Sequence, residues 1–73
     1  MEKAITKRQI ELLYIIYQYI KDTGYPPTFE EMRENLGVSS NQSIVDLLMK
    51  LTQKRFIHRN ESAARGIILL PLA

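Results

Sequence analysis

Thr28-Phe29-Glu30-Glu31, then Gly37, then Ser39-Ser40-Asn41-Gln42 make up the stretch that decides the fold. Each four-residue run places a hydroxyl side chain three positions before a Glu or Gln. At that spacing the hydroxyl accepts from an orphan backbone N–H of a nascent helix, and the later side chain reaches back to the cap's own N–H. Gly37 lies between the two runs and supplies a left-handed stop. The reading is a short helix, a tight turn, and a second helix whose first turn is polar and uncharged. That is the plan of a helix-turn-helix, whose second helix lies in a DNA groove.

Upstream, Thr6-Lys7-Arg8-Gln9 repeats the capping pattern. It predicts a first helix over about 7–22, halted by Gly24 and barred from continuing by Pro26-Pro27. Ile10, Leu13, Tyr17 and Ile20 share one face, and Leu12, Ile16 and Tyr19 widen it, which predicts a central helix touched from more than one side. Tyr14, Tyr17, Tyr19 and Tyr25 are read as core residues with their hydroxyls at the rim, in preference to base-stacking platforms. The second helix is expected over 29–36, with Phe29, Met32 and Leu36 inward. The third is expected over 40–54, with Ile44, Leu47, Leu48 and Leu51 inward and Asn41, Gln42, Val45, Asp46, Met49 and Gln53 on the other side.

Downstream the period changes. Residues 56–59 and 66–70 are β-type runs rich in branched side chains, and the polar 60–65 segment between them is turn-prone. Two short strands and a loop after a helix-turn-helix make a wing. The predicted fold is mainly α with a small β-hairpin: a three-helix winged helix-turn-helix forming one domain over 1–73. Pro71-Leu72-Ala73 is expected to begin a linker.

Composition narrows the function classes. The chain has 73 residues and 45% hydrophobic side chains, enough for one small core. There is no cysteine, which removes disulfides and thiolate metal sites; no metal or cofactor is expected. His58, the one histidine, is read as an exposed strand residue. The apolar run near Leu12–Ile20 is too short to span a bilayer, and Met1-Glu2-Lys3 does not open a signal peptide. No nucleophile–base constellation is visible. A serine–lysine pair would need a buried lysine, for which a domain this size has little room, so no enzyme and no small-molecule substrate are expected. The net charge is +2, but the excess is uneven. Residues 35–73 hold Lys50, Lys54, Arg55, Arg59 and Arg65 against Asp46 and Glu61, so the half with the third helix is the positive one.

Four stretches carry a family resemblance: Ile5-Thr6-Lys7-Arg8-Gln9, Thr23-Gly24-Tyr25-Pro26-Pro27-Thr28, Leu36-Gly37 and Ser62-Ala63-Ala64-Arg65-Gly66-Ile67. The chain closely resembles the N-terminal DNA-binding domain of LexA, the bacterial repressor of the DNA-damage (SOS) response. The resemblance covers nearly the whole chain. It implies a winged helix-turn-helix that binds an operator and represses transcription, in a bacterial cytoplasm and on the nucleoid. LexA repressors also carry a serine–lysine peptidase domain that supplies the dimer contact; nothing in these 73 residues encodes it. LexA proteins of the best-known type have paired acidic residues in the middle of the third helix, where this chain has Val45 and Asp46, so the known operator is not carried over.

On this reading Ser40, Asn41, Gln42, Ser43, Val45 and Asp46 meet base edges. Asn41 and Gln42 suit adenine, Val45 a thymine methyl, and Asp46 a cytosine amino group. Ser39, Thr28, Lys7, Arg8, Lys50, Lys54, Arg55 and Arg59 are assigned to phosphates, and Arg65 in the wing to the backbone or the minor groove. The expected partner is double-stranded DNA, an inverted repeat bound by two copies. The alternative is a protein-interaction winged helix that uses the exposed face of the third helix.

Overall fold

A computed structural model describes residues 5–60, 62, 63 and 65–70. The expected linker start at Pro71 and the residues Glu61 and Ala64 of the wing lie outside the described residues. The elements run α1 (Lys7–Thr23), α2 (Phe29–Leu36), α3 (Asn41–Gln53), β1 (Ile57–Arg59) and β2 (Ile67–Leu69). The two strands pair antiparallel with His58 opposite Ile68. These bounds lie within a residue or two of those expected from the sequence, and the architecture is the winged helix-turn-helix.

Local chemistry sets the boundaries. Thr6 and Thr28 both form the full reciprocal box, with Gln9 and Glu31 reaching back. Gly24 and Gly37 then end α1 and α2 at φ 89° and 82°, the left-handed region that Gly enters without a Cβ penalty. The third box does not form. Ser40, not Ser39, caps α3; its hydroxyl accepts from the Gln42 N–H at 3.1 Å, and the Gln42 side chain turns away from the cap. The reason is register. Starting one residue later places Gln42 at the second helical position, too early to reach back.

α3 ends without glycine. Arg55 takes φ 66°, while Arg55 N–H donates to Thr52 O and Phe56 N–H to Leu51 O. That pair of bonds is the Schellman arrangement. An L residue in this conformation costs roughly 1–2 kcal/mol. The turn carries the chain straight into β1.

Leu12, Ile16, Met32, Ile44, Leu48, Leu51, Ile57 and Ile67 form the core, so every element contributes. The inward face of α1 differs from the expected one. Leu12 and Ile16, with the polar Gln9, are its buried residues, whereas Ile10 and Tyr17 are 49% exposed. Tyr14 and Tyr25 are also exposed, so these three tyrosines are not core residues, whereas Tyr19 is half-buried. The α1 stripe is wider than the surface that α2, α3 and the hairpin can cover. Its surplus, Ile10, Tyr14 and Tyr17, borders an open apolar groove of about 350 Å³ with Leu13, Phe56 and Leu69.

The hairpin is closed by backbone contacts. Asn60 N–H donates to Gly66 O at 2.7 Å, and the Asn60 side chain accepts from Ser62. A Cβ on Gly66 would press into the Asn60 carbonyl. Glycine is needed here because two backbones approach closely.

Candidate nucleic-acid interface

α3 is held by Ile44, Leu48 and Leu51, all fully buried, at the 3–4-residue spacing of one helix face. That grip turns the opposite face outward. Ser40, Asn41, Gln42, Ser43 and Asp46 are exposed together over its first two turns, with Met49 and Lys50 beyond them. Val45 is half-buried. Backbone N–H groups at the start of α3 add partial positive charge. Gln42 and Asp46 are joined, Nε2 donating to Oδ1 at 2.9 Å. The i,i+4 spacing of an amide and a carboxylate is a signal readable in the sequence.

The expected phosphate residues fall into two groups. Lys7, Lys50 and Arg55 are exposed, as is Arg8, which pairs with Glu11 at 3.0 Å. Ser39 is exposed in the turn before α3. Lys54 is held against α1: its Nζ donates to the Gln9 Oε1 at 2.7 Å, so this cation also satisfies a buried amide. Arg59 lies over the Phe29 ring, 5.2 Å from its centre, a cation–π arrangement. Thr28 and Arg59 come together in a cleft of about 470 Å³ between the start of α2 and the hairpin, lined also by Asn60, Ser62 and Gly66. The Thr28 hydroxyl there is taken by the Glu31 N–H.

Arg65 is exposed but is not a free wing arginine. Nη1 donates to the Pro26 carbonyl at 2.7 Å and to Glu31 Oε1 at 3.0 Å; Nη2 donates to Glu31 Oε2 at 3.1 Å. The Tyr25 ring centre lies 4.5 Å from its guanidinium carbon. The pairing pulls the Glu31 carboxyl down to about 2, chiefly through the Arg65 hydrogen bond and then through the Thr28 N–H, and it raises Arg65 further above its ordinary value. The wing is thereby fastened to the α1–α2 turn. Composition and local pattern gave no sign of this, because Glu31 and Pro26 lie 34 and 39 positions from Arg65.

Among the described residues no group of His, Cys, Asp or Glu is placed to hold a metal ion, and no helix is long and apolar enough to cross a membrane.

The sequence matches the LexA DNA binding domain over residues 2–66. The chain belongs to the LexA DNA-binding domain family. It is 35% identical to the LexA repressor of Thermobifida fusca (strain YX) over 64 residues, 88% of this chain and 25% of that protein. It is 40% identical to the LexA repressor of Anaeromyxobacter sp. (strain Fw109-5) over 70 residues, 96% of this chain and 30% of that protein. The chain thus spans less than a third of the length of these relatives. Sequence-specific DNA binding is the activity that membership in the LexA domain family carries. Two of the stretches that carry the resemblance, residues 23–28 and 62–67, touch each other in the fold: Arg65 donates to the Pro26 carbonyl.

Proposed function

We propose that this LexA-family domain reads double-stranded DNA as the operator-binding part of a bacterial repressor of the DNA-damage (SOS) response. α3 lies in the major groove with Ser40, Asn41, Gln42 and Ser43 at base edges and Val45 against a thymine methyl. Lys7, Arg8, Ser39, Lys50 and Arg55 neutralise or bind flanking phosphates, while Thr28, Lys54 and Arg59 line the approach to them. The clamped wing lies along the backbone, with Arg65 as its fastening. Two copies occupy an inverted repeat, since one small domain reads few base pairs. The domain works in the cytoplasm on nucleoid DNA and has no catalysis of its own. The observation that carries this reading is the exposed polar row Ser40–Ser43 on a capped, tightly packed helix.

The test is selection from a random duplex pool at moderate salt, with the domain as it stands and fused to a dimerising coiled coil. Enrichment of an inverted repeat by the fused form, lost steeply as salt rises, supports the reading. An unenriched pool in both forms contradicts it. That outcome would favour a protein partner on the face of α3, where Met49 is 50% exposed.

A further inference from the structure

An acidic side chain on the face of α3 assigned to DNA needs a reason, because its charge repels phosphates. Asp46 sits one turn beyond Gln42 and accepts a hydrogen bond from the Gln42 Nε2 at 2.9 Å. A carboxylate only accepts. It therefore admits one orientation of the neighbouring amide: turning Gln42 over would set Oε1 against Oδ1. The Gln42 backbone is held as well, its N–H donating to the Ser40 hydroxyl. What Gln42 then offers outward is Oε1 and the second Nε2 hydrogen, an acceptor and a donor on one planar group. That pair complements the N6 amino group and N7 of adenine in the major groove.

We propose that Asp46 is a positioning residue for specificity: it fixes the Gln42 amide so that Gln42 reads adenine, and it makes no base contact of its own. The inference rests on the DNA-reading role of α3 proposed above. It replaces the cytosine contact expected for Asp46 from sequence. It also assigns the acid a double effect. Asp46 sharpens discrimination at the base pair under Gln42, and its charge weakens binding to every sequence alike. Immobilising a side chain before binding is worth a factor of about two to ten.

The experiment measures Kd at fixed salt for the selected duplex, for each of its single-base-pair variants and for a scrambled duplex. It compares the intact domain with Gln42→Ala, Asp46→Ala, Asp46→Asn and the Gln42→Ala/Asp46→Ala double variant, each checked for an unchanged helical circular-dichroism spectrum. Gln42→Ala identifies the base pair that Gln42 reads. Asp46→Ala is expected to reduce discrimination at that same pair about two- to tenfold and to tighten binding to the scrambled duplex. Asp46→Asn, whose amide can donate as well as accept and so admits both orientations of Gln42, should restore the discrimination only in part. In the Gln42→Ala background, removing Asp46 should change discrimination at that pair no further.

Loss of preference at a different base pair in Asp46→Ala would overturn the proposal and make Asp46 a base reader. Unchanged discrimination at the Gln42 pair in Asp46→Ala, or full discrimination in Asp46→Asn, would also overturn it. A wild-type domain with no preference at any position would instead sink the DNA-reading role on which the inference rests.

Discussion

Arg65 holds Glu31 with both ends of its guanidinium, Nη1 to Oε1 at 3.0 Å and Nη2 to Oε2 at 3.1 Å. Glu31 also closes the α2 capping box with Thr28. One carboxylate therefore starts α2 and fastens the wing. The planar fork of arginine fits two carboxylate oxygens, and a lysine offers only a point charge.

Arg65→Ala should release the wing while leaving the three helices folded, and Arg65→Lys should not rescue it. Amide hydrogen exchange at Asn60, whose N–H donates to the Gly66 carbonyl, reports the release, with faster exchange expected in both variants. DNA affinity should fall for all sequences while the rank order of base preferences stays the same, because α3 is untouched. A changed rank order would mean that Arg65 itself reads bases.

Acid should loosen the same clamp. The Glu31 carboxyl titrates at about 2 in the folded domain against an ordinary 4.5. A group whose folded value is depressed stabilises fully above its unfolded value and loses that contribution as pH falls toward the folded one. The stability difference between wild type and Glu31→Gln should therefore be constant above about pH 4.5 and shrink between there and about pH 2. Urea melts across that range measure it.

Caps can be tested one residue apart. Ser40→Ala should destabilise the domain by about 1 kcal/mol, the usual value of an N-cap. Ser39→Ala should change stability by less than about 0.5 kcal/mol, as for an ordinary surface position. Equal effects in thermal melts would restore Ser39 as the cap.

These serines show what the sequence displayed and what it withheld. The Thr6 and Thr28 boxes and the stops at Gly24 and Gly37 are local chemistry, complete within a few residues, and so α1 and α2 were readable almost to the residue. Ser39 and Ser40 offered two registers of one pattern, and only the packing of Ile44 and Leu48 selects between them. The face of α1 was ambiguous because apolar side chains surround too much of it; Leu12 and Ile16 are buried because the other elements lie there, which periodicity cannot say. The polar row of α3 was legible as the residue types left over from its core stripe. The Arg65–Glu31 clamp and the Lys54–Gln9 bond were not, since each joins residues far apart in the chain.

Arg55 combines a backbone cost with a charge. Arg55→Gly should stabilise the domain by about 1 kcal/mol by relieving the left-handed conformation. If Arg55 neutralises a phosphate, the same change should weaken DNA binding evenly and lower the salt slope by about 1. Chemical denaturation and salt-dependent titrations read the two effects separately.

In the proposed complex the first two turns of α3 meet DNA. Titrating the ¹⁵N-labelled domain with its selected duplex, and following every backbone amide by NMR, tests it most directly. The largest shifts are expected at Ser40, Asn41, Gln42, Ser43 and Asp46, with smaller ones at Lys50, Arg55 and the wing. Shifts concentrated on Ile10, Tyr14, Tyr17 and Phe56, with the α3 row unmoved, would contradict it.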